Sequence, residues 1–235
     1  MLIAQQLRVK GRHDDLVPPM SLQAASGSLL LVAGDLQPQR TALALALSAR
    51  MKVSAGTVSL GQSSKIGDLR NSSALIDSPG VNEPEQHLSV KDLVTEDLAL
   101  IPRRYRGIRH ASDWLKINAF EDIAKVWVDQ VPTARRLELL CTLALANPEV
   151  DLLVVDSPDR HSADPQDWLP QLVARAADPG RPLCIVATVS GIPADWHRAQ
   201  AHIENPIDLR AATTQAPEEP EPAETPEAEE SQDQS

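Results

Sequence analysis

The chain has 235 residues, 42% hydrophobic and 23% charged, a composition that supports a sizeable core and predicts one domain, or one domain with a small insert. Aromatic residues make up 3%, which leaves the core to Leu, Val, Ile and Ala and excludes a stacking platform for single-stranded nucleic acid. Residues 217–235 hold eight carboxylates and no Lys or Arg, so taking those eight from the net charge of −11 leaves −3. Total charge therefore predicts neither a nucleic-acid surface nor a strong field on the folded part.

Apolar Leu2, Ile3, Leu7 and Val9 predict a first strand over residues 1–9, followed by a polar segment at 10–15 and a second short strand at 20–24. The run SLLLVAG after Gly27 is continuously apolar, as in a strand buried on both faces of a parallel sheet. Residues 41–49 are strong helix formers with no breaker, so the predicted order is strand, loop, helix. Further strands are expected at 54–61 and 73–76, the latter stopped by Asp77, Ser78, Pro79 and Gly80. Residues 90–130 read as a small helical subdomain, placed at about 88–135. Helix resumes at 133–146 with Leu137, Leu140, Cys141, Ala144 and Leu145 on one stripe. DLLVVD and LCIVAT then supply two more buried strands. Alternating buried strands and helices predict an α/β domain with a mostly parallel sheet, over residues 1–210. From 211 to 235 the chain is Pro, Glu, Ala, Thr and Gln without apolar periodicity, and reads as an acidic disordered tail.

Cys141 and Cys184 each sit in an apolar run, where a buried thiol is the expected reading and a reducing, cytoplasmic compartment fits. The longest apolar stretches, 29–33 and 152–155, are too short to span a bilayer, so membrane association is expected to be peripheral. The six His residues show no metal-ligand spacing.

GDLQPQRT, residues 34–41, lies where a phosphate-binding loop lies, between a buried strand and a helix N-terminus. That motif has Gly, four residues, Gly, Lys, then Ser or Thr. Gly34 and Thr41 match it, Gln39 replaces the second Gly, Arg40 replaces Lys, and Pro38 has no N–H to donate. A bland strand-to-helix turn is the competing reading of the same residues.

Over about residues 2–209 the chain resembles the ATP-binding subunits of ABC transporters. The resemblance is carried by Gly27, the 34–41 loop, GTVSLG at 56–61, a switch loop near Asp77 and a signature segment at 131–135. ALANPEVDLLVVDSPD and LCIVAT complete the order. It implies an α/β, P-loop NTPase-like cassette with a mostly parallel sheet, a small N-terminal antiparallel β portion and a helical subdomain. It implies ATP and Mg²⁺ as cofactors, with Gly34, Gln37, Gln39, Arg40 and Thr41 toward nucleotide and Thr41 and Asp156 toward Mg²⁺. Further, it implies a cytoplasmic subunit on the inner face of the membrane, docked on a permease or other membrane protein and paired with itself or a sister cassette, with no nucleic-acid partner.

The catalytic positions depart from the family's pattern. Ser157 stands at the catalytic Glu, Asp77 at the expected Gln and Val189 at the switch His; residues 131–135, VPTAR, replace the Leu-Ser-Gly-Gly-Gln signature. Serine without an activating partner is a poor general base, so weak or absent hydrolysis is expected, with nucleotide binding still open. Three alternatives stay open: an active half-site completed by a sister subunit, a nucleotide-free scaffold, and a P-loop GTPase-like protein in which Asp77 and Gly80 of DSPG would form the switch.

Overall fold

The computed structural model describes residues 1–108 and 110–204; the acidic segment from 211 lies outside them. A five-stranded parallel sheet forms the centre, ordered β5-β6-β7-β3-β8 and built from β3 (Ser28–Ala33), β5 (Ser73–Ile76), β6 (Leu152–Asp156), β7 (Cys184–Val189) and β8 (Gln200–His202). Every residue of β6 and β7 is buried, which is why these strands read as unbroken apolar runs: a parallel sheet covered on both faces has no polar side to alternate with.

Each face has its own layer. Leu30, Val32, Leu152, Val154, Cys184 and Val186 pack with α1 (Gln37–Leu47) and with a small antiparallel sheet ordered β2-β1-β4. That sheet comprises β1 (Leu2–Lys10), β2 (Asp15–Ala24) and β4 (Ala55–Leu60). Leu29, Leu31, Leu153, Val155, Ile185 and Ala187 face the opposite cluster. There the sheet meets α5 (Thr133–Ala144), α6 (Leu169–Ala176) and a helical block. The block holds α3 (Val90–Leu100), α4 (Ala111–Ile117) and three 3₁₀ turns, and its core includes Trp114 stacked on Phe120 at 5.9 Å. Trp114, Trp168 and Trp196 are buried packing residues, while Trp127 is half exposed. Both cysteines are free, buried thiols, and burial pushes the Cys141 thiol up to about 12.

Several expectations need correction. The second strand begins at Asp15 rather than at 20, pairing Lys10 with Asp15 and Val9 with Val17, so the expected polar segment is only a tight turn. The helix expected from 41 begins at Gln37: Pro38 lies in its first turn, where a missing N–H breaks no helical bond. Three elements lay outside the sequence reading: α6, β8 and the short α2 (Ile66–Asn71). Among the described residues, no helix is long and apolar enough to cross a membrane.

Candidate functional site

The parallel strands β3, β6 and β7 end side by side, with Asp156 in register with Thr188 and Ala33 with Val189. Asp156, at the last position of β6, is fully buried. Its Oδ1 accepts from Gln37 Nε2 at 3.2 Å, Ser157 Oγ at 2.9 Å and Thr188 Oγ1 at 3.0 Å; its Oδ2 accepts from Thr41 Oγ1 at 2.8 Å and Ser78 Oγ at 2.7 Å. A buried carboxylate needs compensation for lost hydration, and here five donors from four segments supply it. Ser157 follows in a left-handed conformation at φ 55° and ψ 58°, a backbone state that costs a non-glycine residue about 1–2 kcal/mol. It is held there by its N–H, which donates to Thr188 O at 2.9 Å, and by its buried hydroxyl.

Arg40 turns inward. Its Nε donates to Ser157 Oγ at 2.9 Å, its Nη1 to Gly34 O at 2.6 Å and Asp35 O at 3.1 Å, and its Nη2 to Gln37 Oε1 at 2.7 Å, with only 8% of the residue exposed. The loop amides are largely committed within the turn. Leu36 N–H points to the Gln39 side chain at 3.4 Å, and the N–H groups of Gln39 and Arg40 both return to Leu36 O. Thr41 Oγ1 accepts from Gln37 Nε2 at 3.0 Å before donating to Asp156. Gly34, Gln37, Gln39, Arg40, Thr41, Asp156 and Ser157 are thus one hydrogen-bonded unit. A Cβ on Gly34 would lie 2.9 Å from Ile203 Cδ1 and 3.3 Å from Arg40 Cγ, so the glycine makes room for those two side chains.

A second cluster surrounds Asp77, which follows β5 at φ 55° and is buried. Its Oδ1 pairs with Arg136 at 2.8 Å and Arg160 at 2.8 Å, and its Oδ2 meets His161 Nε2 at 2.7 Å. Burial alone would raise its pKa, but the His161 hydrogen bond and the charges of Arg136 and Arg160 together hold it well below the usual carboxylate range. Arg160 also pairs with Glu83 at 2.5 Å. The cluster joins the end of β5 to α5 and to the 3₁₀ turn Pro158–Arg160.

The remaining positions have other duties. Asp159 accepts from the Ser190 N–H at 2.7 Å, and Val189 is fully buried. Asp164 caps the turn Pro165–Asp167. Arg135 pairs with Glu138 at 2.8 Å and lies over the Phe120 ring at 4.2 Å. Ser78, Thr188, Arg136, Arg160 and His161 were not singled out as site residues. Thr188, the last residue of the apolar run LCIVAT and the penultimate one of β7, is the one with a readable signal.

A parallel sheet with a phosphate-loop position at the end of β3, between β7 and β8, and an apposed antiparallel sheet defines a P-loop NTPase-like α/β fold. Its particular form is the ABC ATP-binding cassette fold. A protein from Pyrococcus furiosus described as an ABC transporter ATP-binding protein superposes with a TM-score of 0.60 at 13% identity, over 86% of this chain and 96% of that one. A bacterial ABC transporter cassette solved as a dimer gives 0.56 at 12% identity, over 81% and 88%; a structure of the same cassette bound to ADP and Pi, in a post-hydrolysis state, gives 0.57. CbiO1 of Clostridium perfringens, part of the transporter complex cbiONQ, gives 0.56 at 16% identity, over 80% and 78%. No family model and no curated protein matches the sequence.

Proposed function

We propose that this chain is a non-hydrolysing ABC-type cassette subunit that docks on a membrane permease and pairs with a second cassette, with the strand-end site closed by its own side chains. The observation that carries this reading is the arrangement of Arg40 and Asp156. Mg-ATP needs loop amides for phosphate, a free Thr hydroxyl and carboxylate for the metal, and a base for water. Here the amides of Leu36, Gln39 and Arg40 are spent within the turn, and Thr41 and Asp156 bond each other. Ser157, at the position of the base, is locked between Arg40 and Asp156. The residues present do not fit Mg-ATP or its hydrolysis. The GTPase-like alternative loses its switch residue as well, since Asp77 is committed to Arg136, Arg160 and His161.

Pairing and docking are supported by the dimeric cassette and by the transporter complex among the neighbours. A groove of about 390 Å³ runs between the helical block and the core, lined by Arg50, Arg70, Asn82, Asp97, Leu100 and Pro102 among others. Leu100 is 81% exposed at its edge, and the groove is the proposed permease contact.

The test has two arms. Titration of the full chain with millimolar Mg-ATP is expected to give no saturable heat and no phosphate release; saturable binding with turnover overturns the closed-site reading. In fractionated cells of the native host, wild type is expected with the membranes and Leu100→Asp in the supernatant. Equal partition of the two proteins overturns docking at the groove.

Asp97 gives the groove a pH signature. Its carboxyl is pushed up to about 6, first by burial and then by Glu96. A raised acid binds its proton more tightly in the folded state, so ionised Asp97 costs stability above pH 6 and that cost fades as pH falls toward 4. Asp97→Asn is therefore expected to raise Tm by about 2–4 °C at pH 7.5, allowing for solvent screening, and to change it little at pH 4.5. Paired thermal melts at the two pH values check this.

A further inference from the structure

We propose that the pocket at the end of β3 is a cation cradle, and that its resident is the guanidinium of Arg40. In a phosphate loop the backbone presents N–H groups and selects an anion. Around Arg40 the polarity is reversed: Gly34 O, Asp35 O, Gln37 Oε1 and Ser157 Oγ all accept from it. All three guanidinium nitrogens have an oxygen partner. The carboxylate of Asp156 is reached through a relay in which Arg40 Nε donates to Ser157 Oγ and Ser157 Oγ donates to Asp156 Oδ1 at 2.9 Å. A buried charge persists only when its lost hydration is compensated, and here hydrogen bonds from every guanidinium nitrogen do so, with the Asp156 carboxylate one hydroxyl away.

The wall of the pocket is shaped to the same occupant. Gly34 leaves space for the Arg40 stem, at 3.3 Å from where a Cβ would sit. Helix α1 begins at Gln37, which brings Gln37 one turn below Arg40 so that its side chain receives Nη2 while its amide donates to Asp156. Gln37 is thus oriented by both charges, with its oxygen toward the guanidinium and its nitrogen toward the carboxylate. With Arg40 removed, the pocket would keep four oxygen acceptors beside a carboxylate and would select a small planar cation over a phosphate.

The inference builds on the reading of a site that holds no nucleotide, and the two fail separately: ATP binding to the wild type bears on that reading, the ion preference of an Arg40 variant on this one. Arg40→Ala is expected to lower Tm by about 10 °C. Methylguanidinium at millimolar concentration is then expected to restore several degrees to the variant and none to the wild type, whereas inorganic phosphate and Mg-ATP restore nothing. Stabilisation of Arg40→Ala by phosphate or ATP would overturn the proposal, as would indifference to every ion tested. Should Arg40→Ala fail to fold, Arg40→Lys carries the test. Its ammonium keeps the charge but lacks the planar fork, so a Tm several degrees below wild type, unmoved by phosphate, is expected. A wild-type Tm, or a rise with phosphate, overturns the cradle.

Discussion

Asp77→Asn is expected to destabilise the protein by about 3–4 kcal/mol at pH 7, read as a fall of about 1–2 M in the urea midpoint. Asparagine keeps the shape and tolerates the left-handed backbone that Asp77 adopts at φ 55°, so the change isolates the charge. What it strands is Arg136, which is 8% exposed and packed at the start of α5; Arg160 keeps Glu83 and His161 reaches solvent. Removing one member of a buried ion pair leaves the other desolvated and uncompensated, which costs more than the attraction itself was worth. The pH profile gives an independent readout. Because the folded state holds the Asp77 pKa below its unfolded value, this stabilisation is fully present above about pH 4 and is lost as pH falls further. Wild type is expected to lose urea resistance in that acidic range, and Asp77→Asn to lose less there. Parallel curves for the two proteins from pH 6 to pH 3 would contradict the assignment.

How much of this could be read in advance differs by element. Strands such as β6 and β7 were legible because burial on both faces makes them short, unbroken apolar runs bounded by polar residues. β5 was legible from the Asp-Ser-Pro-Gly stop that follows it. α6 was not: its Leu169, Leu172 and Ala176 face the core, but Pro170 in its first turn looks like a breaker until the helix start is known. β8 has three residues and is defined by pairing with β3, a long-range event with no local signature. At the strand ends, the resemblance to the cassette order pointed to Gly34, Thr41, Asp156 and Ser157, and side-chain chemistry marked Arg40 as unlike lysine. Sequence did not say which way the Arg40 side chain would turn. That is decided by the acceptors around it, two of which are backbone carbonyls, and by Ser157 contributed from a strand end 117 residues away. Backbone carbonyls are common to all residue types, so a pocket built partly from them leaves no compositional trace.

Asp156→Ala is expected to cost about 4 kcal/mol, with the urea midpoint measured in the presence of a chelator so that no metal contributes. A carboxylate kept for a metal is a liability in the metal-free protein, and its removal would leave stability unchanged or improved. Asp156 has the opposite signature: it is fully buried and accepts from Gln37, Thr41, Ser78, Ser157 and Thr188. Alanine takes the acceptor from the hydroxyls of Thr41, Ser78, Ser157 and Thr188, leaves Gln37 Nε2 only Thr41 Oγ1, and removes the carboxylate that Arg40 reaches through Ser157. Asp156→Asn separates the two contributions. Its carbonyl oxygen can still accept, and the hydroxyls of Thr41 and Ser78 can rotate to receive its amide, so the loss of hydrogen bonds is small while the charge is gone. The asparagine variant is therefore expected to retain part of the stability that alanine loses, and the remaining deficit measures what the carboxylate contributes to holding Arg40. If Asp156→Ala instead matches or exceeds wild type in urea, the residue is poised for a metal and the closed-site reading is wrong.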